Sequence, residues 1–143
     1  MTWKELAATS PYQTALAVEK ALQHGDAPEA TEGIQELIEA LSRSDQRALK
    51  CHLIRLMVHV IKWQTQTDKR SRGWRSTIRN ARREIRDIQE DTPSLNRAAI
   101  QRMWQSCFEA AKEEAEAEMN LEALADAPTW EDVFEKEYEI NKG

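Results

Sequence analysis

The stretch from Asp45 to Gln66 carries apolar residues on two nearly opposite faces, and no other feature restricts the fold as much. Leu49, Leu53, Leu56, Val60 and Trp63 recur at intervals of four, three, four and three, which places them in one seam of an α-helix. Cys51, Ile54, Val58 and Ile61 form a second seam on the far side, with Met57 between. A helix at the edge of a protein needs one apolar stripe, so a helix with two needs neighbours around most of its circumference. The polar arc left over is narrow and again has helical spacing: His52, Arg55, His59, Lys62 and Gln66.

The neighbours must be helices too. Four glycines and four prolines in 143 residues leave few natural breaks, and good helix formers dominate the rest. Ser10 with Pro11 opens a first helix, with Ala15, Val18 and Leu22 as its apolar stripe and Gly25 as its stop. A second runs to about Ser42, with Ile34, Leu37, Ile38 and Leu41 expected to be buried and Glu29, Glu32, Glu36 and Glu39 facing the other way. Ser44 is the expected cap of the central helix, with Asp45 near its positive end. After a polar loop, a fourth helix runs from about Trp74 to Asp91 with Trp74, Ile78, Ala81, Ile85 and Ile88 inward, and Thr92-Pro93 breaks it. Ser94 then caps a fifth, to about Met119, whose seam is Ile100, Met103, Trp104, Cys107, Ala111 and Ala115. Thr129 to Asp132 reads as a capping-box start for a short last helix. The expected fold is an all-α helical bundle of four main helices plus a short terminal helix. It forms a single domain over residues 1–143, with a core at about 10–119 and a C-terminal extension over 120–143.

Several classes fall away on composition. No apolar run approaches the ~20 residues that span a bilayer, and no secretory apolar stretch opens the chain. Cys51 and Cys107 both sit among apolar neighbours and are expected to be reduced core thiols, which with the missing signal indicates the cytoplasm.

Charge is the most informative remaining signal. The net value of −5 conceals a segregation: residues 69–86 carry eight basic groups and one acid, whereas residues 87–143 carry five basic and fifteen acidic. Arg72, Arg75, Arg79, Arg82, Arg83 and Arg86 repeat at helical spacing, and Lys69 and Arg70 extend the stripe into the loop. Guanidinium forks suit carboxylate or phosphate, so this stripe could hold an acidic protein or track a nucleic-acid backbone. The competing explanation is internal: Glu32, Glu36 and Glu39, or the acids from Glu109 to Glu118, could neutralise it within the chain. A pI near 5.3 disfavours nucleic acid.

The arc of His52, Arg55, His59 and Lys62 is the other polar constellation. Were it to meet Glu36 and Glu39, it could form an acid–base or metal site, but paired Glu-x-x-His motifs are missing and a structural His–Glu bond is the simpler reading. No nucleophile elbow, phosphate loop, dinucleotide fingerprint or zinc spacing is present, so no catalytic residue, metal or cofactor is assigned. Of five tryptophans, Trp63, Trp74 and Trp104 fall on apolar faces, while Trp3 and Trp130 sit where they could pin the chain ends.

Residues 38–49 (IEALSRSDQRAL) are followed by His59-Val60-Ile61-Lys62-Trp63-Gln64, Arg70-Ser71-Arg72-Gly73-Trp74, Thr77-Ile78 and Pro93-Ser94-Leu95. In that order and spacing the chain resembles the family known as domain of unknown function twenty-nine, common in cyanobacteria and other bacteria, from about Tyr12 to Tyr138. The resemblance implies a helical bundle and brings no established activity. It directs attention to the polar motif positions His59, Lys62, Arg70, Ser71 and Trp74. The expected function is a non-enzymatic module that binds a protein through Arg70, Arg72, Arg75, Arg79, Arg82 and Trp74, with His59, Lys62, Glu36 and Glu39 as further candidates. The alternatives are a nucleic-acid-binding or toxin–antitoxin-like regulatory module, and a metal-dependent or hydrolase-like enzyme using His59 with Glu36 and Glu39. No membrane contact is expected; pairing between chains is left open by the length of the seams.

Overall fold

The structure, a computed structural model, describes residues 1–123 and 126–140. Five α-helices follow one another: α1 (Trp3–Thr9), α2 (Pro11–Gln23), α3 (Ala27–Thr65), α4 (Arg72–Asp91) and α5 (Arg97–Met119). A 3₁₀ turn at Thr67–Lys69 joins α3 to α4, and a wide π-type turn at Glu131–Glu135 lies near the C-terminus. No strand occurs among the described residues, so the fold is all-α as the periodicity requires. By internal packing the chain divides into two compact units, Met1–Arg47 and Ala48–Gly143, and α3 contributes to both.

The local signals act largely as capping chemistry predicts. Ser10 accepts from the Gln13 N–H with Pro11 at the first helical position, and Gly25 takes a φ of +74° just past the end of α2. Ser71 caps α4 and Thr92 ends it. The Thr129–Asp132 capping box is present in both directions. Two caps differ from expectation. Asn96 rather than Ser94 caps α5, and a further helix, α1, opens on a full capping box of Thr2 and Glu5. Asn120, at φ +55°, closes α5 in the left-handed conformation.

Three expectations fail. First, the break placed between Ser42 and Asp45 is absent: α3 runs unbroken for 39 residues. Serine is tolerated inside a helix, and with no Gly or Pro near Ser42-Arg43-Ser44 nothing stops propagation. Second, the stripe of the preceding segment is not buried, since Ile34, Ile38 and Leu41 are 40%, 60% and 45% exposed. The face that packs is the one holding Ala30 and Gly33, because a Cβ at Gly33 would come within 2.7 Å of Val18 Cγ2 and 2.8 Å of the Trp3 ring. Ala15 and Leu22 of α2 are likewise exposed. Third, Cys51 is exposed and only Cys107 is buried.

The N-terminal unit therefore has a thin interior of Ala7, Thr14, Val18, Ala30 and Gly33. The core proper lies in the C-terminal unit. There Leu49, Leu53, Leu56, Met57 and Val60 of α3 are inaccessible and share one cluster with Ile78, Ala81 and Ile85 of α4. Ile100, Cys107, Phe108, Ala111 and Ala115 of α5 complete it. The C-terminal segment closes this core with Val133 at 0% and Tyr138 at 5% exposure.

Candidate functional site

The apolar side of α4 (Ile78, Ala81, Ile85) is committed to the core, and its arginines form a stripe beside that face, with Arg75 and Arg82 half-buried. Six of them, from Arg72 to Arg86, fall within roughly 100° of arc on a helix of 3.6 residues per turn. The helix is anchored at its start by Ser71 and by Arg70, whose Nε donates to the Trp63 carbonyl at 2.9 Å while its guanidinium lies 5.1 Å from the centre of the Trp63 ring. Trp74 is half-buried, with Lys62 Nζ 5.1 Å from its ring centre. Arg70 thus fastens the α3–α4 turn through its Nε, and Trp74 does so through its backbone N–H on Ser71 and its ring face beneath Lys62.

Arg82 is tied down more tightly still. Its Nε donates to the Val133 carbonyl at 2.8 Å, and Nη2 donates to the carbonyls of Lys136 at 2.8 Å and Asp132 at 3.4 Å. These bonds satisfy the carbonyls of the wide turn, a role that a compact lysine ammonium could not reproduce in this fork geometry. Burial lowers the affinity of Arg82 for its proton, and the positive Arg86 adds to the effect, opposed by Tyr138 and Glu137. The same segment is braced by aromatic contacts. Trp104 stacks on Trp130 at 5.6 Å, Phe134 sits 4.4 Å from Trp130, and Tyr138 meets Trp63 edge-on at 5.4 Å. Tyr138 also donates its hydroxyl to the Asp132 carbonyl at 2.6 Å, and desolvation pushes its pKa up to about 12. The spacing of Trp130, Phe134 and Tyr138 at intervals of four is the one sequence signal that the tail is built into the core.

The other arginines are not used in this way. Arg83 donates to the Asn80 side chain at 2.9 Å, and Arg72 and Arg79 are exposed. Arg75 is half-buried, and its Nε is enclosed with no hydrogen-bond acceptor. The described ion pairs of the C-terminal unit are Lys62–Glu118 at 2.8 Å and Lys112–Glu116 at 3.9 Å, so the acids of α5 that pair do so with lysines. No α4 arginine takes part. Two depressions line the stripe: one of about 400 Å³ between Arg79, Arg82, Arg83, Arg86 and Phe134, and one of about 120 Å³ that shares Arg79 and Arg82 and adds Arg75, Glu137 and Tyr138.

The second constellation is divided between the two units. His59 is half-buried, and its Nδ1 lies 2.9 Å from the Arg55 carbonyl. Desolvation lowers its pKa first, the Arg55 carbonyl opposes this, and Lys62 lowers it further. Lys62 is held by Glu118. Glu36 and Glu39 belong to the N-terminal unit, where Glu39 pairs with Arg43 at 3.7 Å within its own helix and one carboxylate oxygen of Glu36 is enclosed without a partner. Trp3 donates to Glu29 at 2.5 Å, beside a cleft of about 640 Å³ that Glu32 and Glu36 also line. Among the described residues no group of three or more His, Cys, Asp or Glu is placed to hold a metal, and no helix is long and apolar enough to cross a membrane.

The geometry therefore separates the candidates into residues that hold the fold together (Arg70, Trp74, Arg82, Lys62) and residues that present charge outward (Arg72, Arg79, Arg83, Arg86). Comparison with known proteins agrees with the motif reading in kind and adds no activity. No curated protein and no solved structure matches the chain. The family model described as "Domain of unknown function DUF29" matches residues 13–139, nearly the whole chain, and the protein belongs to that family.

Proposed function

We propose that the protein is a non-enzymatic binding module whose α4 arginine face recognises an acidic surface on another protein. One observation carries this reading: within the described C-terminal unit, where α5 carboxylates pair with Lys62 and Lys112, no α4 arginine forms a close ion pair, and Glu137 acts on Arg82 only at longer range. A solvated guanidinium tolerates that, but several on one arc raise a local positive potential that attracts acidic partners and speeds their encounter. The surrounding charge favours a compact protein surface over nucleic acid. Glu90 follows the stripe on α4, Glu137 lines its smaller depression, and the chain is acidic overall, all of which would repel a long polyanion.

The test is capture from a native lysate by the wild type and by Arg75→Glu/Arg79→Glu, with far-UV circular dichroism confirming that both are folded. Loss of specific partners in the variant is the expected result. An identical set of captured proteins would overturn the reading. Captured nucleic acid whose binding weakens steeply with salt would replace it with the alternative.

A further inference from the structure

Resting on the reading of α4 as a binding face, we infer that its occupant is an acidic α-helix laid along the stripe. Its carboxylates recur every three or four residues opposite Arg75, Arg79, Arg83 and Arg86, and one large apolar side chain enters the depression at Phe134. Two observations support this chemistry. The 400 Å³ depression is lined by four arginines and one aromatic ring with no acid, so it combines a place for carboxylates with a place for an apolar side chain. Finally, Arg75 to Arg86 covers ~16 Å of helix at ~1.5 Å per residue, a length that three turns of a partner helix match.

Spacing selects the shape of the ligand. Arginines at intervals of four, four and three along α4 step by ~6, ~6 and ~4.5 Å. Carboxylates on one face of a second helix step by the same amounts, so several pairs can form in one register without distorting either backbone. An extended peptide, whose residues rise ~3.3 Å and alternate sides, presents every second carboxylate at ~6.6 Å and loses register along the stripe. The recognition mode is a helix laid in a groove, with charge setting the register and one apolar anchor supplying affinity.

The experiment uses the full-length protein and three fluorescently labelled probes read by anisotropy. The first is a 16-residue helix-favouring peptide with Glu at positions 3, 7, 11 and 14 and Leu at position 10. The second has the same composition with the Glu residues scattered around the helix, and the third is a 12-nucleotide single-stranded RNA. The face-ordered peptide is expected to bind about tenfold more tightly than the scattered one. That advantage should vanish in Arg79→Glu/Arg83→Glu and persist in Arg102→Glu, an exposed α5 arginine outside the stripe. Equal binding of the two peptides, or tighter binding of the RNA, would overturn the acidic helix as occupant. Failure of both peptides while lysate capture still depends on Arg75 and Arg79 would sink this inference and leave the binding module standing. Insensitivity of peptide binding and of lysate capture to the arginine variants would remove both.

Discussion

Two halves of one helix differ in a way that their sequences do not disclose. Ile34, Ile38 and Leu41 lie on α3 at intervals of four and three, and so do Leu49, Leu53, Leu56 and Val60 further along it. The second group is wholly inaccessible, whereas the first is 40–60% exposed. Helical periodicity states which residues share a face, and burial depends on what lies across from that face. In the C-terminal unit α4 and α5 supply large apolar partners; in the N-terminal unit the packed side of α3 is the one that carries Gly33, against Trp3 and Val18. The lesson extends to charge. Stripes of like charge on α4 and α3 are equally available for internal pairing by sequence, yet Glu39 pairs along its own helix and the α4 arginines form no close ion pair among the described residues of their unit.

The sharpest way to break this comparison is to truncate one residue from each half. Leu53→Ala should cost ~2–5 kcal/mol, because a fully buried leucine leaves a cavity as well as losing transfer energy. Ile38→Ala should change stability by less than ~0.5 kcal/mol, since the side chain is mostly in water and alanine favours the helix. Urea unfolding of both variants measures the contrast, and comparable losses would mean that the stripe of Ile38 is covered after all.

A smaller and more local effect is expected at Gly33. An added methyl would press on a valine Cγ and on the Trp3 ring, so Gly33→Ala should destabilise the N-terminal unit by ~1–3 kcal/mol even though alanine is the better helix former. Hydrogen exchange should rise across α1 and α2 and stay unchanged in α4 and α5. Unaltered exchange in α1 and α2 would show that the close approach is not what holds this unit.

The smallest effect concerns His59, on the C-terminal half of α3. Its folded pKa lies below the ordinary 6.5 because burial disfavours the imidazolium. The unfolded chain therefore binds the proton more readily, so stability is undiminished above pH 6.5 and falls as pH drops through that value toward the lowered folded pKa. Relative to pH 8, wild type should lose stability near pH 6, and His59→Gln should lose less. Parallel curves for the two proteins would show that His59 is equally solvated in both states.

Much of the fold was legible. The caps at Ser10 and Thr129, the stop at Gly25, the inward residues of α4 and the end of α5 at Met119 follow from short-range rules that act within one turn of helix. The expected break near Ser44 is absent because a capping residue permits a helix to start without obliging the previous one to end. Cys51 is exposed against expectation because apolar neighbours in sequence do not fix which way a side chain faces. Of the candidate site, the arc of arginines was visible and its division of labour was not. That Arg82 serves three backbone carbonyls depends on a segment fifty residues away folding back onto α4, and no local pattern encodes such a return.

By itself, then, the order of residues determined that the chain is helical, roughly where α2, α4 and α5 start and stop, and which side chains line each face. Those outcomes depend on backbone propensity and on contacts within a few residues. The tertiary structure alone decided which stripes are covered, which arginines are spent on carbonyls and which remain outward. The reason is that burial and pairing are properties of two surfaces in contact, and a sequence lists each surface without its counterpart.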